Sequence, residues 1–264
     1  MPEVQSEGVR IDYTDAGRGE PALLLLPGWC ATRAAFGELA KLCSAHRRVL
    51  TLDWRGHGAS AAPSGDFGAA QLVKDAAAVI QASGAQHVIP VAQAHAGWVA
   101  IELRRKLGER IPKLVLLDWI IFAPPANFES ALVGLQDELQ YEHTRDRLFS
   151  TWLEGVTGPA VSEFVHHVMG GFGFSMWSRA GREIAAAYAK HGNPLRALEA
   201  LPSPVPVLHI YAQPVDAAYW DSQLFFTKSH PWFTARRVNA LSHFPMLEVP
   251  EEIAEAIENF VSAP

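Results

Sequence analysis

Short apolar runs recur along the chain, separated by longer amphipathic stretches. The runs at 23–26 (LLLL), 48–52 (RVLTL), 87–91 (HVIPV), 113–117 (KLVLL) and 205–211 (VPVLHIY) are too apolar for a sheet wetted on one face. They predict strands covered on both sides. Residues 33–44, 68–83, 97–107 and 217–229 carry helical periodicity between them, and EEIAEAIENFV closes the chain as an amphipathic helix. Pro250 with Glu251 and Glu252 suits the first turn of that helix. Alternating strands and helices predict an α/β fold with a mostly parallel central sheet flanked by helices. The alternation stops between about 120 and 202, where aromatics and helix-like pattern continue without a convincing strand. The expectation is one domain over 1–264, with a helical cap at 120–202 inserted after the strand ending near Leu117.

Composition narrows the function classes. A formal net charge of -6, without a basic run, argues against nucleic acid as a partner. No stretch approaches the ~20 apolar residues that cross a bilayer, and the amino terminus has no signal-peptide pattern, so no membrane partner and a cytoplasmic location are expected. Cys30 and Cys43 are the only cysteines and read as buried thiols. Among the eleven histidines there is no H-E-x-x-H spacing, and the adjacent His166 and His167 would point about 100° apart on a helix, so no metal is expected.

Four segments carry candidate chemistry. Leu26-Pro27-Gly28-Trp29 follows a strand, where a tight turn leaves the next backbone N–H free to face a cleft. Asp53-Trp54-Arg55-Gly56-His57-Gly58-Ala59-Ser60 has the D-x-R-G-x-G-x-S pattern and resembles the α/β-hydrolases; it marks a fold more than a reaction, and His57 reads as structural. Ala92-Gln93-Ala94-His95-Ala96-Gly97 has the small residues of a nucleophile elbow, but the nucleophile position is Ala94. No acyl- or alkyl-enzyme forms on an alanine. Finally, Ser242-His243-Phe244-Pro245 precedes Glu248 and Pro250, where this fold delivers a catalytic histidine. The carboxylate behind His243 is either Asp118, directly after a strand, or Asp216, in the commoner hydrolase position. His95 offers its backbone N–H to an oxyanion hole with Trp29, and the role of its side chain stays open.

PGWC, DWRGHG, HAGW, LDW at 117–119, TWLEG at 151–155, MWSRAGREI at 176–184, HPWF at 230–233 and SHFP together resemble the cofactor-independent 3-hydroxy-4(1H)-quinolone and quinaldine 2,4-dioxygenases of the α/β-hydrolase superfamily. The resemblance implies His243 as general base with Asp118 as its partner, and a pocket for dioxygen and peroxide lined by Trp29, His95 and Ala94. It places Trp152, Trp177, Phe122 and Phe172 around a planar aromatic heterocycle. It implies no cofactor, neither flavin nor metal, with dioxygen as the co-substrate. Two departures stand out: the elbow serine usual in that family is Ala94, and a histidine often found two places after the PGW tryptophan is Ala31. Two other classes stay open. If Ala94 stands in place of a natural serine, an esterase or amidase follows; if the pocket binds without chemistry, the chain is a ligand-binding relative.

Overall fold

The computed structural model describes residues 2–263. Its first two strands escape a search for apolar runs, because they are short or alternate. β1 (Glu3–Ser6) lies at the sheet edge, and β2 (Val9–Ala16) buries Val9, Ile11 and Tyr13 while leaving its last residues exposed. β3 (Ala22–Leu26) is buried at every position. A 3-10 turn at Arg33–Phe36 leads into α1 (Gly37–Ser44), so the region expected as one helix is two. Next come β4 (Val49–Leu52), α2 (Ala69–Ser83), β5 (Val88–Gln93), α3 (Ala96–Leu107) and β6 (Leu114–Leu117).

The chain then passes through α4 (Ala126–Gly134), α5 (Tyr141–Trp152), α6 (Pro159–Glu163), a π-helical turn at Phe164–Met169, α7 (Phe174–His191) and α8 (Pro194–Glu199). No strand interrupts them among the described residues. β7 (Val207–Tyr211), α9 (Ala217–Ser229), β8 (Phe233–Arg237), α10 (Pro245–Glu248) and α11 (Pro250–Ser262) complete the chain. β8 was not anticipated: its FTARR sequence is polar because only one of its edges is paired.

The eight strands run in the order β1-β2-β4-β3-β5-β6-β7-β8, antiparallel through β2 against β4 and parallel from there on. Register brings the carboxyl ends of the central strands level: Leu26 pairs with Ala92, Gln93 with Leu117, and Leu117 with Ile210. The turns after β3, β5, β6 and β7 therefore open at one edge, where a parallel α/β sheet builds its sites. No helix among the described residues is long and apolar enough to cross a membrane.

The D-x-R-G-x-G-x-S loop holds this edge together. Asp53 accepts the Arg33 N–H at 2.8 Å and the Ala59 N–H at 3.0 Å, and Ser60 bridges the Asp53 carbonyl and the Asp12 N–H. Gly58 is required there, because a Cβ would stand 2.3 Å from the Asp53 carboxylate. Arg55 makes a bidentate pair with Asp75 at 2.9 and 2.6 Å, with both side chains buried. Removing one member leaves the other charge uncompensated. Asp75→Ala is expected to lower the unfolding free energy by about 3–5 kcal/mol in denaturant titration; a loss below about 1 kcal/mol would deny that buried pair its role.

Candidate active site

The site begins with three backbone turns, each held by buried side chains from other elements. After β3, the Gly28 N–H donates to Gln93 Oε1 at 2.9 Å, and the Pro27 carbonyl accepts from Trp54 Nε1 at 2.6 Å. The Cys30 N–H donates to His57 Nε2 at 3.2 Å, and Cys30 adopts a left-handed φ of 56°. His57 Nδ1 meets the Arg55 carbonyl at 3.0 Å, so the ring is the Nδ1–H tautomer with a free lone pair toward Cys30. Gln93, Trp54 and His57 thus fix the PGWC turn from three sides. Among the described residues no protein acceptor takes the N–H of Trp29, which remains available to a ligand.

The second turn is the elbow between β5 and α3. Ala94 sits at φ 49°, in the left-handed region that a nucleophile elbow demands and that a residue with a Cβ otherwise avoids. Its N–H donates to the Leu117 carbonyl at 2.8 Å, and its carbonyl accepts from Gly97 N at 3.0 Å. Gly97 has to be glycine, since a Cβ would fall 2.2 Å from the Trp119 ring. The His95 N–H, like that of Trp29, has no protein acceptor among the described residues. Both residues line the same cavity. Ala31, the second departure from the family pattern, is fully buried.

The third turn follows β6. Asp118 is buried and also left-handed, at φ 44°. Its Oδ2 accepts from Ala212 N at 2.7 Å and Gln213 N at 3.2 Å, while Oδ1 stands 2.9 Å from His243 Nδ1. That contact puts the proton of neutral His243 on Nδ1 and leaves Nε2 as an acceptor. Asp216 does something else: it caps α9, with Oδ1 accepting from Ala218 N at 2.7 Å and Tyr219 N at 3.2 Å. The geometry therefore pairs His243 with Asp118. Glu248 secures the loop that carries His243 by accepting from the Leu241 N–H, the Ser242 N–H and the Ser242 hydroxyl.

These turns face a mostly apolar cavity of about 1260 Å³. Trp152, from α5, stacks on His243 with centroids 5.2 Å apart, and Trp177, from α7, closes the wall behind it. Phe122 lines the cavity with its ring edge-on to Tyr219. Phe172 does not belong here. It packs on His57 with ring centroids 4.8 Å apart and does not line the cavity.

Sequence reading missed the bracing behind these residues. His209 accepts the Trp119 N–H through Nε2 at 3.5 Å, and its Nδ1 meets Gln223 Oε1 at 2.7 Å. The Tyr219 hydroxyl donates to the Trp119 carbonyl at 3.1 Å. Gln93 ends an otherwise apolar strand, and that single amide was a visible signal. His209 and Gln223 are 14 residues apart and carried none.

The fold and the empty elbow define this chain as an α/β-hydrolase-type protein without the hydrolase nucleophile. The model of the alpha/beta hydrolase family matches residues 23–256. The 2-heptyl-3-hydroxy-4(1H)-quinolone dioxygenase of Mycobacteroides abscessus is 37% identical over 259 residues, 97% of this chain and 96% of that protein. The 1H-3-hydroxy-4-oxoquinoline 2,4-dioxygenase of Pseudomonas putida is 36% identical, with 100% of both chains covered. The solved structure of AqdC with the product of its ring cleavage of the Pseudomonas quinolone signal superposes with a TM-score of 0.95 at 34% identity, covering 100% of each chain. An esterase from Thermogutta terrifontis, at 17% identity and a TM-score of 0.77, shares the fold alone. The chain belongs to the α/β-hydrolase family and, within it, to the 3-hydroxy-4-quinolone 2,4-dioxygenases.

Burial holds His57 and His209 neutral, pulling each down to about 4. In the unfolded chain they titrate near ~6.5. Their stabilisation is complete above that value and is lost as pH falls toward 4, because the unfolded state then binds protons that the folded state refuses. Within that window each contributes a slope of about 1.4 kcal/mol per pH unit. Urea titrations at a series of pH values should show the decline, and His209→Gln should make it shallower; an unfolding free energy that stays level across the window contradicts neutral burial.

Proposed function

We propose that this protein is a ring-cleaving 2,4-dioxygenase that acts on 3-hydroxy-4(1H)-quinolones, including 2-alkyl ones, and needs no flavin or metal. The observation that carries the proposal is an intact imidazole–carboxylate base, His243 with Asp118, beside an elbow whose central residue is Ala94. A hydrolase needs both parts, whereas deprotonating an acidic substrate needs only the first.

His243 Nε2 takes the proton of the 3-hydroxyl, and Asp118 stabilises the imidazolium that results. The quinolone anion is electron-rich enough to react with dioxygen directly. Oxygen bonds to C2 as a peroxide, the distal oxygen attacks C4 to close an endoperoxide, and the O–O, C2–C3 and C3–C4 bonds then break, leaving one oxygen on C2 and the other on C4. Carbon monoxide leaves from C3, and the remainder is an N-acylanthranilate. Along this course the Trp29 and His95 N–H groups hold the negative oxygens. The apolar cavity keeps water from competing for the same donors.

Cavity size supports a substituted ring. A volume of about 1260 Å³ exceeds what a bare bicyclic ring fills, and Val133, Val215 and Leu241, all exposed, put apolar surface around it. These residues suit an alkyl chain at C2.

Aerobic incubation with 3-hydroxy-4-quinolones should release one carbon monoxide per substrate, and a rate that depends on added metal overturns the cofactor-free reading. Without oxygen, enzyme and substrate should give the absorption spectrum of the quinolone anion, with nothing consumed. His243→Ala should suppress that spectrum at neutral pH and slow turnover about 10²- to 10⁴-fold, with partial recovery at high pH where the substrate ionises unaided. Asp118→Ala should also fall sharply, while Asp216→Ala should lose about 1 kcal/mol of stability through its cap and little rate. The reverse ranking of the two aspartates would remove Asp118 as the partner of His243.

A further inference from the structure

Ala94 leaves the elbow without a polar side chain, yet the next residue brings one to the same edge of the sheet. The His95 ring lines the large cavity and is only half-buried. Its Nδ1 lies 3.1 Å from Trp119 Nε1. Indole nitrogen is only a donor, so Nδ1 is the acceptor and the ring proton must be on Nε2. Among the described residues no protein atom accepts from Nε2, and that nitrogen is not sealed off from solvent.

The ring is also held in orientation. Phe128 stacks on it with centroids 5.5 Å apart, while Tyr188 and Trp119 meet it edge-on at 5.8 and 6.4 Å. A smaller space also borders the ring, beside Trp29 and Trp98, but at about 10 Å³ it reaches only the lower limit for one water. Of the two spaces beside His95, only the large cavity can admit a ligand. Burial and the nearby His243 hold the imidazole uncharged, down to about 3. An uncharged N–H with a fixed direction is a donor that never competes with His243 for the substrate proton.

We infer that the His95 side chain, locked as its Nε2–H tautomer by Trp119, donates a hydrogen bond to an exocyclic oxygen of the bound quinolonate, supplying the polar contact that Ala94 cannot. The inference rests on the quinolone reading above. It adds a side-chain donor to the two backbone amides and makes Trp119 the positioning residue that sets its direction.

The test is anaerobic titration of the unmodified protein, His95→Leu and His95→Gln with a 3-hydroxy-4-quinolone, followed by absorption of the bound anion. A hydrogen bond to a charged oxygen predicts that His95→Leu binds the anion about tenfold to hundredfold more weakly. His95→Gln keeps an acceptor for Trp119 and an N–H for the ligand, and should recover most of the affinity. If His95 serves packing alone, both variants lose thermal stability while the affinity and spectrum of the bound anion stay as in the unmodified protein, which overturns the inference. If His95→Leu does not fold, ¹⁵N spectra of the unmodified protein decide. A neutral Nε2–H tautomer whose Nε2 signal moves on quinolone binding supports the inference, and an Nδ1–H tautomer or an unmoved signal overturns it. Carbon monoxide release by the unmodified protein separates the two levels: with release and a null result at His95 only this inference falls, and without release the quinolone reading falls and takes the inference with it.

Discussion

The carboxylate of Asp118 is the point through which the site is assembled. One oxygen receives two N–H groups from the turn after β7, and the other holds His243, which arrives 125 residues later. To meet both, Asp118 takes a left-handed backbone conformation immediately after β6, a conformation that costs energy for any residue with a Cβ. The cost is offset by what surrounds it: Asp118 N bonds the Ile210 carbonyl, and Trp119 is gripped by His209 through its N–H and by Tyr219 through its carbonyl. Strain at one residue is thereby converted into a fixed direction for the imidazole.

The elbow follows the same logic with its chemistry removed. Ala94 retains the strained φ that would aim a nucleophile, although it has none to aim. What the turn still delivers is the unengaged N–H and the side chain of His95, beside a cavity that Trp29 also lines. The elbow therefore keeps its backbone geometry at the edge of the cavity without offering a nucleophile.

Much of this was legible in the chain. The five apolar runs became β3 to β7 with boundaries shifted by one or two residues, since a strand buried on both faces has no choice but continuous hydrophobicity. β1, β2 and β8 were missed because edge and antiparallel strands mix polar residues into their pattern. The small residues at 92–97 and the spacing from His243 to Glu248 marked the elbow and the histidine loop. The resemblance set Phe172 among the cavity aromatics, but it packs against His57 instead.

Local sequence therefore determined the parallel sheet, the empty elbow and the presence of a histidine poised near the chain's end, because each depends on residues adjacent in the chain. Residue spacing alone left Asp118 and Asp216 both open at carboxyl ends of strands, and only the L-D-W resemblance favoured Asp118. Tertiary structure supplies the physical reason: strand register sets Asp118 beside the turn after β7 and within 2.9 Å of His243, while Asp216 spends its carboxylate on the N-terminus of α9. The tautomer of His95 was beyond the sequence, since it is set by an indole 24 residues away. Hydrogen bonds between distant residues are fixed by how strands align, and alignment belongs to the folded chain alone.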